Sequence, residues 1–513
     1  MAKNSFIWFL GSALVFYFST IVCLLYGFDV ARVNLLVAMV LTLLFKANGF
    51  VRDKCLGLWL LGAIFYVLTF FISARVWGVW LFFIFLLAVY ALKTDERKES
   101  LGNILVFAAA FFNLSFVTNT GIGDVQYDFA SCFNYIEYIL ENDFLFWREN
   151  PLLTRPGYSS YHPILHFFLA AGYIKCGMLF GLSKDMAAEA AQVVFCFYML
   201  GYYLLAAKIL ERLNLGRAAY LAGLSLVIFF PAYNAIAGFF NNDCLLLPLQ
   251  AGVFYFALCY YQDGERKNLG LIFLFATAAA LTKLSGVLVL PAAGLMVLMR
   301  LLEKRDRKTL KEVLLLGCGV FLGIMIWPLY QHFMLKIPFG FVPPQPHLGL
   351  QNYSLFERFN PLKAFVYEDM FYHDFGTNLW ETMTKTALFL QWDFSFRGSD
   401  VSFLLLTMVF LYKLVVLCSA GCFVYLVFKA KDKKMFFFFA VLILSLLLGE
   451  VLFVLKHPFM CNQDFRYVAL LPLGFAGILA MGTDELKKIA KVVFLLILVF
   501  CLCCSVVWWR VSF

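Results

Sequence analysis

The chain has 513 residues, 63% of them hydrophobic, 19% aromatic and only 14% charged, with a formal net charge of +9 and a mean hydropathy of +0.84. That is far more apolar surface than a single soluble core of this length can bury, so the composition excludes a soluble globular domain and requires lipid as solvent. The basic excess does not point to nucleic acid, because the lysines and arginines gather in short loops between apolar runs, where their position matters more than their sum.

The first apolar run, 6–28, is too long for a signal-peptide core and has no small-residue cleavage site, so it is expected to stay as a helix. About 20 apolar residues cross a hydrocarbon core. By that measure about fifteen spans are predicted, near 6–28, 31–45, 57–73, 77–92, 101–118, 187–207, 218–236, 242–260, 268–283, 286–302, 313–332, 402–428, 435–455, 467–482 and 490–509. Basic loops at Lys46 to Lys54, Lys93 to Lys98, Lys208 to Arg217, Arg266 and Lys267, Arg300 to Lys308, Lys429 to Lys434 and Lys487 to Lys491 are placed in the cytoplasm by the positive-inside rule. The stretches 119–185, 334–400 and 456–466 then face outward or into a lumen. The apolar segment 162–181 would invert every later loop if it crossed, so it is read as a helix lying in or dipping into the outer interface. The fourteen cysteines sit mostly inside apolar runs, Cys461 apart, and read as small buried hydrophobes rather than as a metal or disulfide framework.

Four polar clusters interrupt this pattern at outer helix ends. GDVQYDFASCFNYIEYI, 123–139, sets Asp124 and Asp128 at the foot of span 101–118, and FASCFNYIEYILEN has the helical spacing of a surface-lying amphipathic helix. Asp128 would head that helix, where the dipole favours an ionised carboxylate; its ordinary role there is an N-cap, and that of Asp124 a solvated turn residue. FFNND, 239–243, ends on Asp243, for which helix capping is the ordinary reading. ALTKLSGVLVLP, 280–291, carries Lys283 between two apolar runs, either as a snorkelling lysine or as a partner for a phosphate arriving from the lipid, with Gly286 permitting a tight approach. HPFMCNQDFRYVALLP, 457–472, places Asp464 and Arg466 beside His457 and Tyr467, either as a surface ion pair or as a guanidinium fork shaped for phosphate.

In chain order, the outer-loop acid before YIEYILEN, then RPGYSSYHPILHFFLAAG, FNNDCLLL, LTKLSGVLVLP and DFRYVALLP resemble the membrane-embedded GT-C glycosyltransferases over about residues 101–482. That group includes the protein O-mannosyltransferases and the lipid A aminoarabinose transferases; the ordered series carries the resemblance, since no motif in it is specific alone. The resemblance implies an all-α polytopic membrane bundle of about 13–15 transmembrane helices, with interfacial helices in the first large outer loop. Its layout would be extra N-terminal helices at 1–100, a catalytic core at 101–333 with its outer loop at 119–185, a second outer loop at 334–400 and C-terminal helices at 401–513.

The implied reaction moves a sugar from a polyprenyl- or dolichyl-phosphate donor, with inversion, to a hydroxyl of a lipid, glycan or protein on the outer or lumenal face of a bacterial plasma membrane or an endoplasmic reticulum membrane. Asp128 matches the family's base by its spacing to YIEYI, and Asp124 is the fallback. A base makes sense because an acceptor hydroxyl is a poor nucleophile, while the lipid phosphate is already a good leaving group. Lys283 and Arg466 would stabilise the phosphate. Tyr161, His162, Asp243 and Asp464 are expected among the substrate-binding residues, with no proton transfer assigned to His162. The acceptor is left open, as is a divalent-metal requirement, and no metal ligands are assigned. The rival readings are a ligase or polymerase of lipid-linked oligosaccharides, and a transporter or flippase of lipid-linked sugars. A transporter would be expected to show repeats or mid-membrane ionisable residues, and only Glu450 suggests the latter.

Overall fold

The computed structural model describes residues 2–30, 33, 34, 36, 37, 40, 98–122, 128–144, 162–305, 307–339, 341, 342, 348–365, 376–390, 399–487 and 489–511. Asp124, Tyr161, the predicted spans 57–73 and 77–92 and most of 31–45 lie outside the described residues.

Lipid offers no hydrogen bonds to the backbone, so apolar runs of this kind close their own as helices. In chain order these are α1 (Ala2–Tyr26), α2 (Lys98–Asn119), α3 (Phe129–Glu141), α4 (Leu165–Leu179), α5 (Lys184–Glu211), α6 (Arg217–Ile228), α7 (Pro231–Ile236), α8 (Asp243–Asp263), α9 (Lys267–Thr282), α10 (Leu290–Lys304), α11 (Arg307–Phe333), α12 (Leu355–Phe359), α13 (Leu379–Phe389), α14 (Ser399–Lys429), α15 (Lys433–Lys456), α16 (Leu471–Glu485) and α17 (Ala490–Val511). Among the described residues nine helices are long and apolar enough to cross a membrane, or ten if the bent stretch Met460–Glu485 is one span. No strand occurs among the described residues, only an isolated bridge between Gly349 and Phe459.

Of the predicted spans, 218–236 is divided and two others, 286–302 and 467–482, begin in 3-10 turns, each next to a polar cluster. Pro231 lacks an amide hydrogen and starts α7 afresh after α6, dividing the predicted span 218–236. Helix α9 stops where Lys283 turns extended, at φ −157° and ψ 141°, and a 3-10 turn (Leu284–Val289) leads into α10. Two more 3-10 turns, Met460–Gln463 and Phe465–Val468, precede α16, with a 51° bend between them and that helix.

Helix α5 is the hub on which α1, α2, α4 and α8 pack, while α16 lies against α6, α14 and α15. Small residues allow close approach, as membrane helices require: a Cβ on Gly223 would stand 3.0 Å from the Ala476 carbonyl oxygen, and one on Gly477 would stand 2.2 Å from the Phe439 ring. Basic loop residues collect at one end of the bundle, where Arg212 bonds Asp263 at 2.8 Å and Lys434 bonds Glu303 at 2.6 Å. The polar clusters singled out above collect at the other.

Helix α4 has 15 residues, short for a span, and both its flanks lie at the polar-cluster end: His166 reaches the Phe240 carbonyl, and Lys184, just beyond it, pairs with Glu137 of α3. Within the second outer loop, α13 packs against α7 and the 465–468 turn, with most of its residues buried. A polar helix tolerates this because its groups are satisfied locally. Asn378 accepts from Trp380 N at 3.0 Å and Glu381 N at 3.2 Å, while Thr384 and Thr386 donate to the carbonyls of Trp380 and Thr382 at 2.7 and 2.9 Å.

Gly286 makes the turn after Lys283 possible, since a Cβ there would meet the Ala279 carbonyl oxygen at 2.6 Å. The same oxygen accepts from Lys283 N at 2.9 Å. Gly286→Ala should therefore destabilise the detergent-solubilised protein by about 1–3 kcal/mol, the usual cost of overpacking, read as a lowered thermal midpoint. An unchanged midpoint would remove the steric account of this turn.

Candidate active site

Asp128 heads α3, but its side chain makes no cap bond. It reaches across the bundle instead: Arg466 Nη2 donates to Asp128 Oδ2 at 2.9 Å, joining residues 338 positions apart. Arg466 Nε donates to Asp464 Oδ2 at 2.8 Å, and Asp464 Oδ1 accepts the Arg466 backbone N–H at 3.0 Å. One guanidinium thus spans two carboxylates, the near one turned onto it by the 3-10 geometry of Phe465–Val468. Asp464 and Arg466 are buried, with side-chain exposures of 0% and 8%, whereas Asp128 keeps 37% of its side chain accessible. The Asp464–Arg466 pair is therefore not the surface pair that the sequence allowed, and Asp128 is the member a substrate can reach.

A second pair lies beside it. Lys283 Nζ donates to Asp243 Oδ1 at 2.5 Å, both side chains buried, and the ammonium stands 4.7 Å from the centroid of the Tyr467 ring. Lys283 is thus not a snorkelling lysine, nor is Asp243 a simple cap. Asn242 precedes Asp243 and donates to the Thr282 carbonyl at 2.8 Å, tying the head of α8 to the end of α9. The loop before α8 is held by side chains from neighbouring helices: Gln192 donates to Gly238 O at 2.9 Å, and His166 Nε2 lies 3.0 Å from Phe240 O. Thr386 of α13 accepts the Phe465 N–H at 2.8 Å, fixing the turn that carries Arg466.

The two pairs belong to one site, since Asp243 and Asp128 both act on Arg466 and His162 feels Lys283, Asp128 and Arg466 together. Several buried acceptors in these stretches have no hydrogen-bond donor among the described residues: Asp243 Oδ2, Asn242 Oδ1, Asn241 Oδ1, Gln463 Oε1 and Glu450 Oε1. Unmet buried acceptors are costly, and a ligand's hydrogen-bond donors would satisfy them. Among the described residues no group of three or more His, Cys, Asp or Glu side chains is placed to hold a metal ion. The described cysteines are all free thiols.

Of the predicted site residues, Asp128, His162, Asp243, Lys283, Asp464 and Arg466 come together, whereas Asp124 and Tyr161 lie outside the described residues. Sequence reasoning did not assign roles to Gln463, Thr386 or Glu450. Glu450 carried a signal, as a lone acid inside an apolar run; the other two sit in ordinary polar loop sequence.

Residues 161–331, about a third of the chain, match the family described as dolichyl-phosphate-mannose-protein mannosyltransferase. Over that third the chain is similar to a family of membrane glycosyltransferases of the kind the ordered motifs implied. The matched part includes His162, Asp243 and Lys283, while Asp128 and Arg466 lie outside it and are brought to it by the fold. Two crystal structures of ArnT from Cupriavidus metallidurans, in the apo state and bound to undecaprenyl phosphate, resemble the chain loosely. Identities are 14% and 13% and TM-scores 0.34 and 0.32, over 75% of this chain and 77% of the other. No curated protein matches the chain.

Burial first, then Lys283 and Arg466, lower the pKa of His162 to about 3, against a smaller opposing pull from Asp128. The imidazole is thus neutral at physiological pH, which agrees with giving it no proton transfer. The sign for stability follows: above the usual 6.5 neither the folded nor the unfolded chain protonates it. As pH falls from there toward about 3, the unfolded chain takes up a proton that the folded one refuses, and stability is lost. His162→Asn should flatten the fall in thermal midpoint below about pH 6.5; an equally steep fall would show that other groups set it.

Proposed function

We propose that the protein transfers a sugar from a polyprenyl-phosphate carrier to an acceptor hydroxyl, with Asp128 as general base and Lys283 and Arg466 gripping the phosphate. The observation that supports this most is the junction of Asp128 with Arg466, with Lys283 beside it, at the end of the bundle opposite the basic loops. Asp128 is accessible where the other charged groups of the site are buried, which suits a group that must meet an incoming hydroxyl. The match to dolichyl-phosphate-mannose-protein mannosyltransferases supports a lipid-phosphate donor, as does the undecaprenyl phosphate bound to ArnT. The basic loops at the opposite end support the outer or lumenal face by the positive-inside rule.

The chemistry follows from charge. The acceptor O–H proton moves to Asp128 as the acceptor oxygen attacks the anomeric carbon from the face opposite the phosphate. The C1–O bond breaks, its electron pair stays on the phosphate, and the configuration inverts. Arg466 and Lys283 stabilise the charge that develops there, in a site shielded from water, where such contacts are strongest. A phosphate oxygen competing for Arg466 Nη2 would also loosen its hold on Asp128 and free that carboxylate oxygen for the acceptor hydroxyl. Donor binding thereby prepares the base.

Asp128→Asn should lower sugar transfer by about 10²–10⁴-fold, the usual contribution of a general base, with insertion and donor binding retained. The check is transfer from a polyprenyl-phosphate sugar by the purified variant. Full activity in Asp128→Asn with loss in Asp124→Asn would move the base to Asp124. Full activity in both would overturn the mechanism.

A further inference from the structure

Glu450 is the acidic group that the mechanism above leaves unused. It lies in α15, six residues before Lys456, and is 1% exposed. The neighbouring positions hold α15 onto the turn that follows Lys283: Ser445 Oγ donates to Leu288 O at 2.8 Å, and a Cβ on Gly449 would meet the Leu288 side chain at 2.4 Å. Glu450 is thereby set against the site, and among the described residues the charged groups that act on it are Asp464 and Lys283. Its Oε1 is buried without a hydrogen-bond donor among the described residues.

Neither neighbouring cation is available to it. Lys283 is bound to Asp243, and Arg466 to Asp464 and Asp128. Four carboxyl groups therefore share two cations, and a fully ionised site would repel the anion it has to admit. An ionised, unpaired carboxylate inside a span is among the costliest states a side chain can adopt. A neutral carboxyl avoids that cost and carries an O–H in need of an acceptor.

We propose that Glu450 acts as a neutral carboxylic acid that donates a hydrogen bond to a non-bridging oxygen of the donor phosphate, beside Lys283 and Arg466. The proposal rests on the phosphate reading above and adds to it a third, uncharged contact. The test uses the purified full-length protein with a polyprenyl monophosphate as the probe, without and then with a sugar attached, comparing wild type, Glu450→Gln, Glu450→Met, Lys283→Ala and Arg466→Ala. Gln keeps a donor and Met keeps the volume in an apolar setting.

Glu450→Gln should bind within about threefold of wild type and Glu450→Met about tenfold more weakly, the scale of one hydrogen bond to a charged group. Equal weakening in both variants, or none in Glu450→Met while Lys283→Ala loses binding, overturns the role of Glu450 and leaves the phosphate site standing. If Glu450→Met weakens only the sugar-bearing donor, the contact belongs to the sugar and the proposal also fails. Wild-type binding in Lys283→Ala and Arg466→Ala alike would instead overturn the underlying phosphate reading.

Discussion

The guanidinium of Arg466, held between Asp464 and Asp128, is the interaction on which the arrangement of the site depends. A buried arginine is tolerable only when its donors are met, and a buried aspartate only when its charge is. Each of these groups makes the other two affordable. Asp464 is local and fixes the fork through the turn, whereas Asp128 comes from a helix far away in the sequence and is the partner of Arg466 that another anion would displace. The pair is thus rigid on one side and replaceable on the other, which is what a grip for a departing phosphate needs.

The scaffold serves that junction by breaking helices where it must. α9 ends at Lys283, α8 begins at Asp243, and the stretch before α16 unwinds into short turns around Arg466. Broken backbone inside a membrane protein is viable only where protein groups satisfy it. Here Gln192, His166, Asn242 and Thr386 supply those bonds from α4, α5, α8 and α13. Five of the buried acceptors left without a donor among the described residues, Glu450 among them, belong to the stretches that carry the two cations or the helix packed against them.

Much of this was legible before any coordinates. Apolar run length located the helices because a hydrocarbon core has a set thickness, and the basic loops separated the two ends of the bundle. Asp128, Lys283 and Arg466 stood out because a charge in such a chain requires a reason. The ordinary alternatives that the structure sets aside share a cause: Lys283 as a snorkelling end, Asp243 as a cap and Asp464–Arg466 as a surface pair each fit an isolated helix end. None of these local readings contains the partner that overrides it, forty positions away for Lys283 and Asp243. That the segment 379–389 is a buried helix was not legible for a similar reason, since its threonines look like loop sequence until their hydroxyls bond back to their own helix.

The sequence by itself determined the solvent, the helices and the end of the bundle on which charge is allowed, because these follow from hydropathy and from the electrostatics of lipid. Only the tertiary structure decided which charge meets which. Asp128 and Arg466 are 338 residues apart, and no periodicity or spacing encodes a contact that depends on how α3 and the turn before α16 pack at one end of the bundle. Pairing is a property of that packing, and it turns scattered polar residues into a site.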